Sequence, residues 1–147
     1  MDLMKFLPVA KALAGLSKDP AAKVSALVID DDGNLLSSGW NGFPRGVHDD
    51  VHRIDSRELK RCFTVHAEAN AIAQAARTGA RLLGANILVT ERFPCKACAG
   101  LIIQAGIKRV YAPIMGDDAN QQWRDDRQFS MVMFNESGIQ VIEYGHE

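Results

Sequence analysis

Cysteine is scarce: the 147 residues include only Cys62, Cys95 and Cys98. Three thiols cannot all pair within one chain, and a core of this length needs no disulfide framework. In a reducing compartment a close pair such as Cys95 and Cys98 points instead to metal binding or redox chemistry. An excess of either charge is missing too. The 17 Lys and Arg stand against 18 Asp and Glu, a net charge of −1. No basic surplus announces a nucleic-acid partner. A small phosphate-bearing substrate stays open, because one local arginine is enough to meet it. No apolar stretch, that around residues 101–105 included, approaches the ~20 residues a membrane-spanning helix needs. At the N-terminus Asp2 precedes Lys5 and Pro8 interrupts the early apolar residues, so no secretory core forms. The expectation is a cytoplasmic protein with no membrane partner. Repeats, low-complexity tracts and linkers are also absent. With 47% hydrophobic and 24% charged residues, the chain reads as one globular domain over residues 1–147, and disorder or collagen-like repeats are excluded.

What is there alternates between helix and strand. Leu3, Phe6, Leu7, Ala10, Leu13 and Ala14 recur at helical spacing, with Asp2 as N-cap and Pro8 placed to kink or delay the helix. Residues 24–29 read as a buried strand, 31–34 as a turn and 35–40 as the returning strand. Residues 41–46 form a loop, and 47–61 a solvated stretch of mixed charge. A helix is expected over 66–77, a strand over 87–90, a helix over 95–105 and a strand over 108–112. Residues 117–127 are polar. A helix over 129–135 and a last strand over 139–142 close the chain. The first two strands make an antiparallel hairpin, and the later ones are joined through helices as parallel crossovers. The expected fold is α/β: a three-layer α/β/α sandwich around a five-stranded mixed sheet.

Two short segments carry chemistry. One is His66-Ala67-Glu68; the other is Pro94-Cys95-Lys96-Ala97-Cys98. Each opens a predicted helix. Cys95 and Cys98, three apart, share a helix face. Pro94 suits a helix start because its missing N–H is not needed there, and the positive end of the helix dipole favours thiolates. Two thiolates and one neutral imidazole fill three of zinc's four tetrahedral positions. The fourth is left for water, as in a catalytic zinc site. Glu68 is the candidate base. Two residues apart in mid-helix means roughly 200° apart, but the irregular turn at a helix start lets a long Glu reach back over the metal. Either segment alone is a weak signal. Together, in an α-β-α frame, they form the zinc nucleobase-deaminase signature.

The chain resembles the zinc-dependent cytidine and deoxycytidylate deaminase family along nearly its whole length. The carriers are "SKDPAAKV" (17–24), "GWNGFPRGV" (39–47), "HAEANAI" (66–72) and "FPCKACAGLIIQAGIKRV" (93–110). The last two match the family at large; the first two match its deoxycytidylate branch. The resemblance implies one catalytic Zn²⁺ per chain on His66, Cys95 and Cys98, with Glu68 as proton shuttle. It implies hydrolysis of a cytosine nucleotide, dCMP to dUMP and ammonia, in which hydroxide on zinc adds to C4 while Glu68 protonates N3 and then the departing amine. By the same resemblance the backbone N–H of Ala67 meets the pyrimidine carbonyl and Asn41 the sugar or base edge. Phe43 or Trp40 is a stacking candidate, and Arg45 and Lys23 are candidates for a 5′-phosphate. On residue type alone, Asn41 is equally a turn former, Phe43 and Trp40 core residues, and Arg45 a surface cation. The implied partners are a small pyrimidine nucleotide and further copies of the chain. Deamination of cytidine, deoxycytidine or guanine is the alternative, and polynucleotide editing is disfavoured by the charge.

Three departures stand out. Trp40 replaces the branch's usual Tyr. The connection "VTERFPC" (89–95) is one residue longer than usual. Residues 113–130, with Trp123, Arg124 and Arg127, match no recognised pattern, yet they follow a strand end where open α/β sheets place ligand loops. The insert before His66 holds His48, His52 and Cys62 but not in a second zinc pattern. It reads as a solvated loop around a buried cysteine.

Overall fold

The computed structural model describes residues 2–145; Met1, His146 and Glu147 lie outside the described residues. A 3₁₀ turn over Leu3–Phe6 leads into α1 (Leu7–Ala14). Asp2 caps the turn, and Pro8 falls within the first two positions of α1, where it interrupts no helical hydrogen bond. Pro8 thus delays the helix and does not kink it. The strands are β1 (Ser25–Ile29), β2 (Leu35–Trp40), β3 (Asn86–Val89), β4 (Arg109–Pro113) and β5 (Gln140–Tyr144). Between them run α2 (Val51–Asp55), α3 (Arg57–Phe63), α4 (Ala67–Thr78), α5 (Lys96–Gln104) and α6 (Gln121–Ser137).

The sheet order is β2-β1-β3-β4-β5. β1 is antiparallel to both its neighbours, while β3, β4 and β5 are mutually parallel. β2 therefore runs with β3, and α4 crosses over β1 to join them, as expected for a parallel crossover. β1 and β3 are buried throughout, and their alternate residues serve two cores. Ala26, Val28, Ile87, Val89, Val110 and Ala112 meet Ala71 of α4, Ile102 of α5 and Phe134 of α6. Leu27, Ile29, Leu88 and Tyr111 meet Leu3 and Ala10 at the other face. Period-two strands covered on both sides give the three-layer α/β/α sandwich with a five-stranded mixed sheet.

Three expectations need correction. Residues 47–61 are not a plain solvated loop: α2 and α3 occupy much of the stretch. Asp50 accepts the Arg53 N–H at 3.1 Å and Ser56 accepts the Leu59 N–H at 3.2 Å, so each short helix has its own cap. Neither helix buries a residue fully, which is why no apolar stripe announced them. Cys62, expected to be buried, is exposed on α3. The last helix starts well before residue 129, because Asn120 accepts the Trp123 N–H at 3.0 Å and Gln121 donates to Asp125 at 2.8 Å. Its polar first half is held by capping and side-chain pairing rather than by burial.

One contact fixes how deeply α4 sits on the sheet. A Cβ added at Gly39 of β2 would lie 2.4 Å from the Ala71 nitrogen and 2.5 Å from the Ala67 oxygen, both backbone atoms of α4. Gly39→Ala must therefore push the start of α4 off the sheet. We expect a loss of about 3 kcal/mol, at the upper end of overpacking penalties because backbone must move. A urea midpoint unchanged from wild type would contradict this packing.

Candidate metal centre

Two helix starts converge on one spot. His66 is the N-cap of α4, with φ −69° and ψ 156°, and makes no side-chain cap of its own. Its ring is turned instead toward the start of α5. There Cys95 is the N-cap, with φ −68° and ψ 167°, and its Sγ accepts the Cys98 N–H at 3.5 Å. Extended backbone at both caps swings these side chains out of the helical rows, so the imidazole and the two sulfurs meet. Pro94 is buried, and its carbonyl accepts the Ser130 hydroxyl of α6 at 2.8 Å. The third helix thereby braces the cysteine loop.

His66 Nδ1 stands 3.5 Å from Cys95 Sγ and 3.5 Å from Cys98 Sγ. All three ligand atoms lie within 4.8 Å of one another. For a tetrahedral zinc with Zn–S near 2.3 Å and Zn–N near 2.0 Å, the sulfur-to-nitrogen edge should be about 3.6 Å. The donor set and its spacing fit that ion. Depth grades across the site: His66 is at the exposed rim, Cys95 is intermediate and Cys98 is buried. Among the described residues this is the only group of three potential metal ligands so placed. His48, His52 and Cys62 form no second one.

The electrostatics are those of a site built around thiolate. The Cys95 thiol falls to about 4, first because Cys98 hydrogen-bonds to it and further because His66 does. Cys98 is pushed up, first by that same bond and then by burial. The hydrogen bond with Cys95 raises His66. Glu68 is 5% exposed and reaches Cys98 with its carboxyl. Burial raises its pKa above the ordinary carboxylate value. A carboxyl that holds a proton more readily than usual, beside a metal-binding triad, has the properties of a general acid and base.

The expected substrate contacts are distributed around this centre. Ala67 is buried at the first position of α4, where a backbone N–H has no partner within the helix. Trp40, Asn41 and Phe43 line a cleft of about 170 Å³ with Asp19, Lys60 and Thr64; the metal-binding residues lie outside that lining. Asn41 uses its amide to tie the loop together. Its Oδ1 accepts the Val24 N–H and its Nδ2 donates to the Ala22 carbonyl, both at 2.9 Å. Phe43 meets Phe63 at 5.6 Å between ring centres. Arg45 donates to Gln74 at 2.9 Å, two turns along α4 from His66. Lys23 donates to the Ser17 carbonyl. A residue the motifs did not single out lies closer in. The charge of Arg92 is felt at His66, and its guanidinium stacks on Trp123.

A metal held by three protein groups beside a buried acid equips a protein for hydrolysis, and the class the fold and site define is the zinc-dependent deaminase. The family model for the cytidine and deoxycytidylate deaminase zinc-binding region matches residues 2–114. The chain belongs to that family. It is 42% identical over 137 residues to an uncharacterized deaminase in the luxG 3′ region of Aliivibrio fischeri, covering 93% of this chain and 89% of that one. It is 36% identical over 139 residues to deoxycytidylate deaminase of Homo sapiens, covering 91% and 74%. The crystal structure of dCMP deaminase from cyanophage S-TIM5 in apo form superposes with a TM-score of 0.75 at 26% identity, covering 98% of this chain and all of that one. Among the described residues no helix is long and apolar enough to cross a membrane.

Proposed function

We propose that this protein hydrolyses dCMP to dUMP and ammonia. The observation that carries the reading is the carboxyl of Glu68, buried and raised in pKa, set against the triad of His66, Cys95 and Cys98. The similarity to deoxycytidylate deaminases supports the substrate. When bound there, zinc supplies a water that loses its proton near neutral pH. Glu68 takes one proton from the attacking water as it adds to C4 and delivers it to N3; it then takes the second from the new C4 hydroxyl, as the carbonyl forms and the C4–N bond breaks, and gives it to the departing amine. The Ala67 N–H holds the pyrimidine carbonyl. Trp40 or Phe43 stacks on the ring, and the Asn41 lone pair and N–H not engaged by residues 22–24 face the sugar or base edge. Arg45 and Lys23, the cations the sequence offered for the phosphate, each give a donor to the chain itself, to Gln74 and to the Ser17 carbonyl. The exposed Phe129 and Val132 of α6 support a homo-oligomer.

The test is a substrate panel of dCMP, deoxycytidine, cytidine, CMP and guanine. We expect kcat/KM for dCMP to exceed every other member by at least about tenfold, the contribution of one charge-assisted contact. Preference for an unphosphorylated substrate would overturn the reading. Salt-sensitive turnover of single-stranded DNA would point to polynucleotide editing.

A further inference from the structure

The connection between β3 and Cys95 has a definite shape. Thr90 is fixed at its start: the N–H donates to the Ser25 carbonyl at 3.0 Å, and Oγ1 accepts the Ser25 N–H at 2.9 Å. The Arg92 N–H then turns back onto the Thr90 carbonyl at 2.6 Å, closing a three-residue γ-turn. Glu91, at its centre, has φ 63°, the only positive value among the described non-glycine residues. A γ-turn of this hand is rare and strained. Such strain persists where surrounding contacts over-determine it, and it clusters at functional sites. On the far side Phe93 is held by Phe134 at 6.3 Å and by the Arg127 guanidinium at 5.0 Å.

The turn delivers one side chain. The Arg92 guanidinium carbon sits 3.6 Å from the centre of the Trp123 ring, in the first turn of α6. Stacking fixes a guanidinium by its face and leaves its N–H edge free to form paired bonds with an anion. That edge makes no hydrogen bond to the described residues. The other two arginines near the mouth are committed: Arg124 donates to the Ala119 and Asp117 carbonyls, and Arg127 to Glu143. Asp19, whose charge also reaches Arg92, is itself held by Lys60 at 3.0 Å and by the N–H groups of Ala21 and Ala22. Arg92 is therefore the cation beside the triad whose donors remain available. Trp123 lies beyond residue 114, where the family match ends.

We propose that Arg92, braced on Trp123, binds the 5′-phosphate of the substrate and sets the preference for nucleotide over nucleoside. The proposal rests on the dCMP reading above. Trp123 is the positioning residue.

Wild type, Arg92→Gln, Arg92→Lys and Trp123→Leu should be compared on dCMP and deoxycytidine, with dUMP as product inhibitor and with zinc content and melting temperature recorded. In Arg92→Gln we expect KM for dCMP and the inhibition constant of dUMP each to rise about 10- to 100-fold, and the dCMP-to-deoxycytidine ratio of kcat/KM to fall by a similar factor. Arg92→Lys should recover only part of the ratio, because a point charge lacks the fork. Trp123→Leu should raise KM more than it lowers kcat. A wild-type preference for dCMP that survives intact in Arg92→Gln overturns the Arg92 assignment alone. A wild type indifferent to the phosphate overturns the dCMP reading together with it. Should one variant fail to fold, the unchanged or reduced ratio in the other two decides in the same way.

Discussion

Replacing Glu68 by Gln should reduce kcat for dCMP by about 10²- to 10⁴-fold, the range that positioned proton transfer contributes. The substitution keeps the size of the side chain and a hydrogen-bonding group facing Cys98, so the buried slot in α4 stays filled. It removes the ability to accept a proton and pass it on. KM should therefore change little, and zinc content and melting temperature should match wild type. Steady-state kinetics alongside elemental analysis separate these effects. Turnover within tenfold of wild type would remove Glu68 from the chemistry, whatever the fate of the metal.

The second large effect is expected at Cys95. Its Sγ is one of three atoms within 4.8 Å of one another, and it also caps α5 by accepting the Cys98 N–H. Cys95→Ala removes both. Loss of the cap should destabilise the chain by only about 1 kcal/mol, so the protein should still fold. Two ligands are too few for a closed tetrahedral shell, and zinc should drop below about a tenth of an equivalent, with dCMP turnover at background. A folded variant that keeps its metal and its activity would take Cys95 out of the site. The two substitutions thus differ in signature: one leaves zinc and loses turnover, the other loses both.

The metal site was readable in the sequence because it is local. His66 and Glu68 are two residues apart, Cys95 and Cys98 three apart, and helix starts impose the geometry that such spacings need. The sheet was readable for a similar reason, since the strands read at residues 24–29 and 87–90 fall on β1 and β3, which are buried throughout. What escaped depends on contacts between distant residues or on polar groups. The caps Asp50, Ser56 and Asn120 start helices that carry little buried surface, so hydrophobic periodicity was silent there. Burial of Cys62 was expected from residue type, yet α3 turns it to solvent. The internal bonds of Asn41 to Ala22 and Val24 require β2 and the preceding loop to be already in place. Arg92 was invisible for the strongest version of this reason. Its position needs a positive φ at Glu91 and an aromatic 31 residues further along the chain.

The most direct measurement is zinc per chain, followed through chelation and add-back while dCMP hydrolysis is assayed on the same preparation. We predict about one zinc per folded chain, with turnover that falls in step with metal removal and returns on restoring zinc. Sustained conversion of dCMP to dUMP by protein stripped of every metal ion would contradict the central claim.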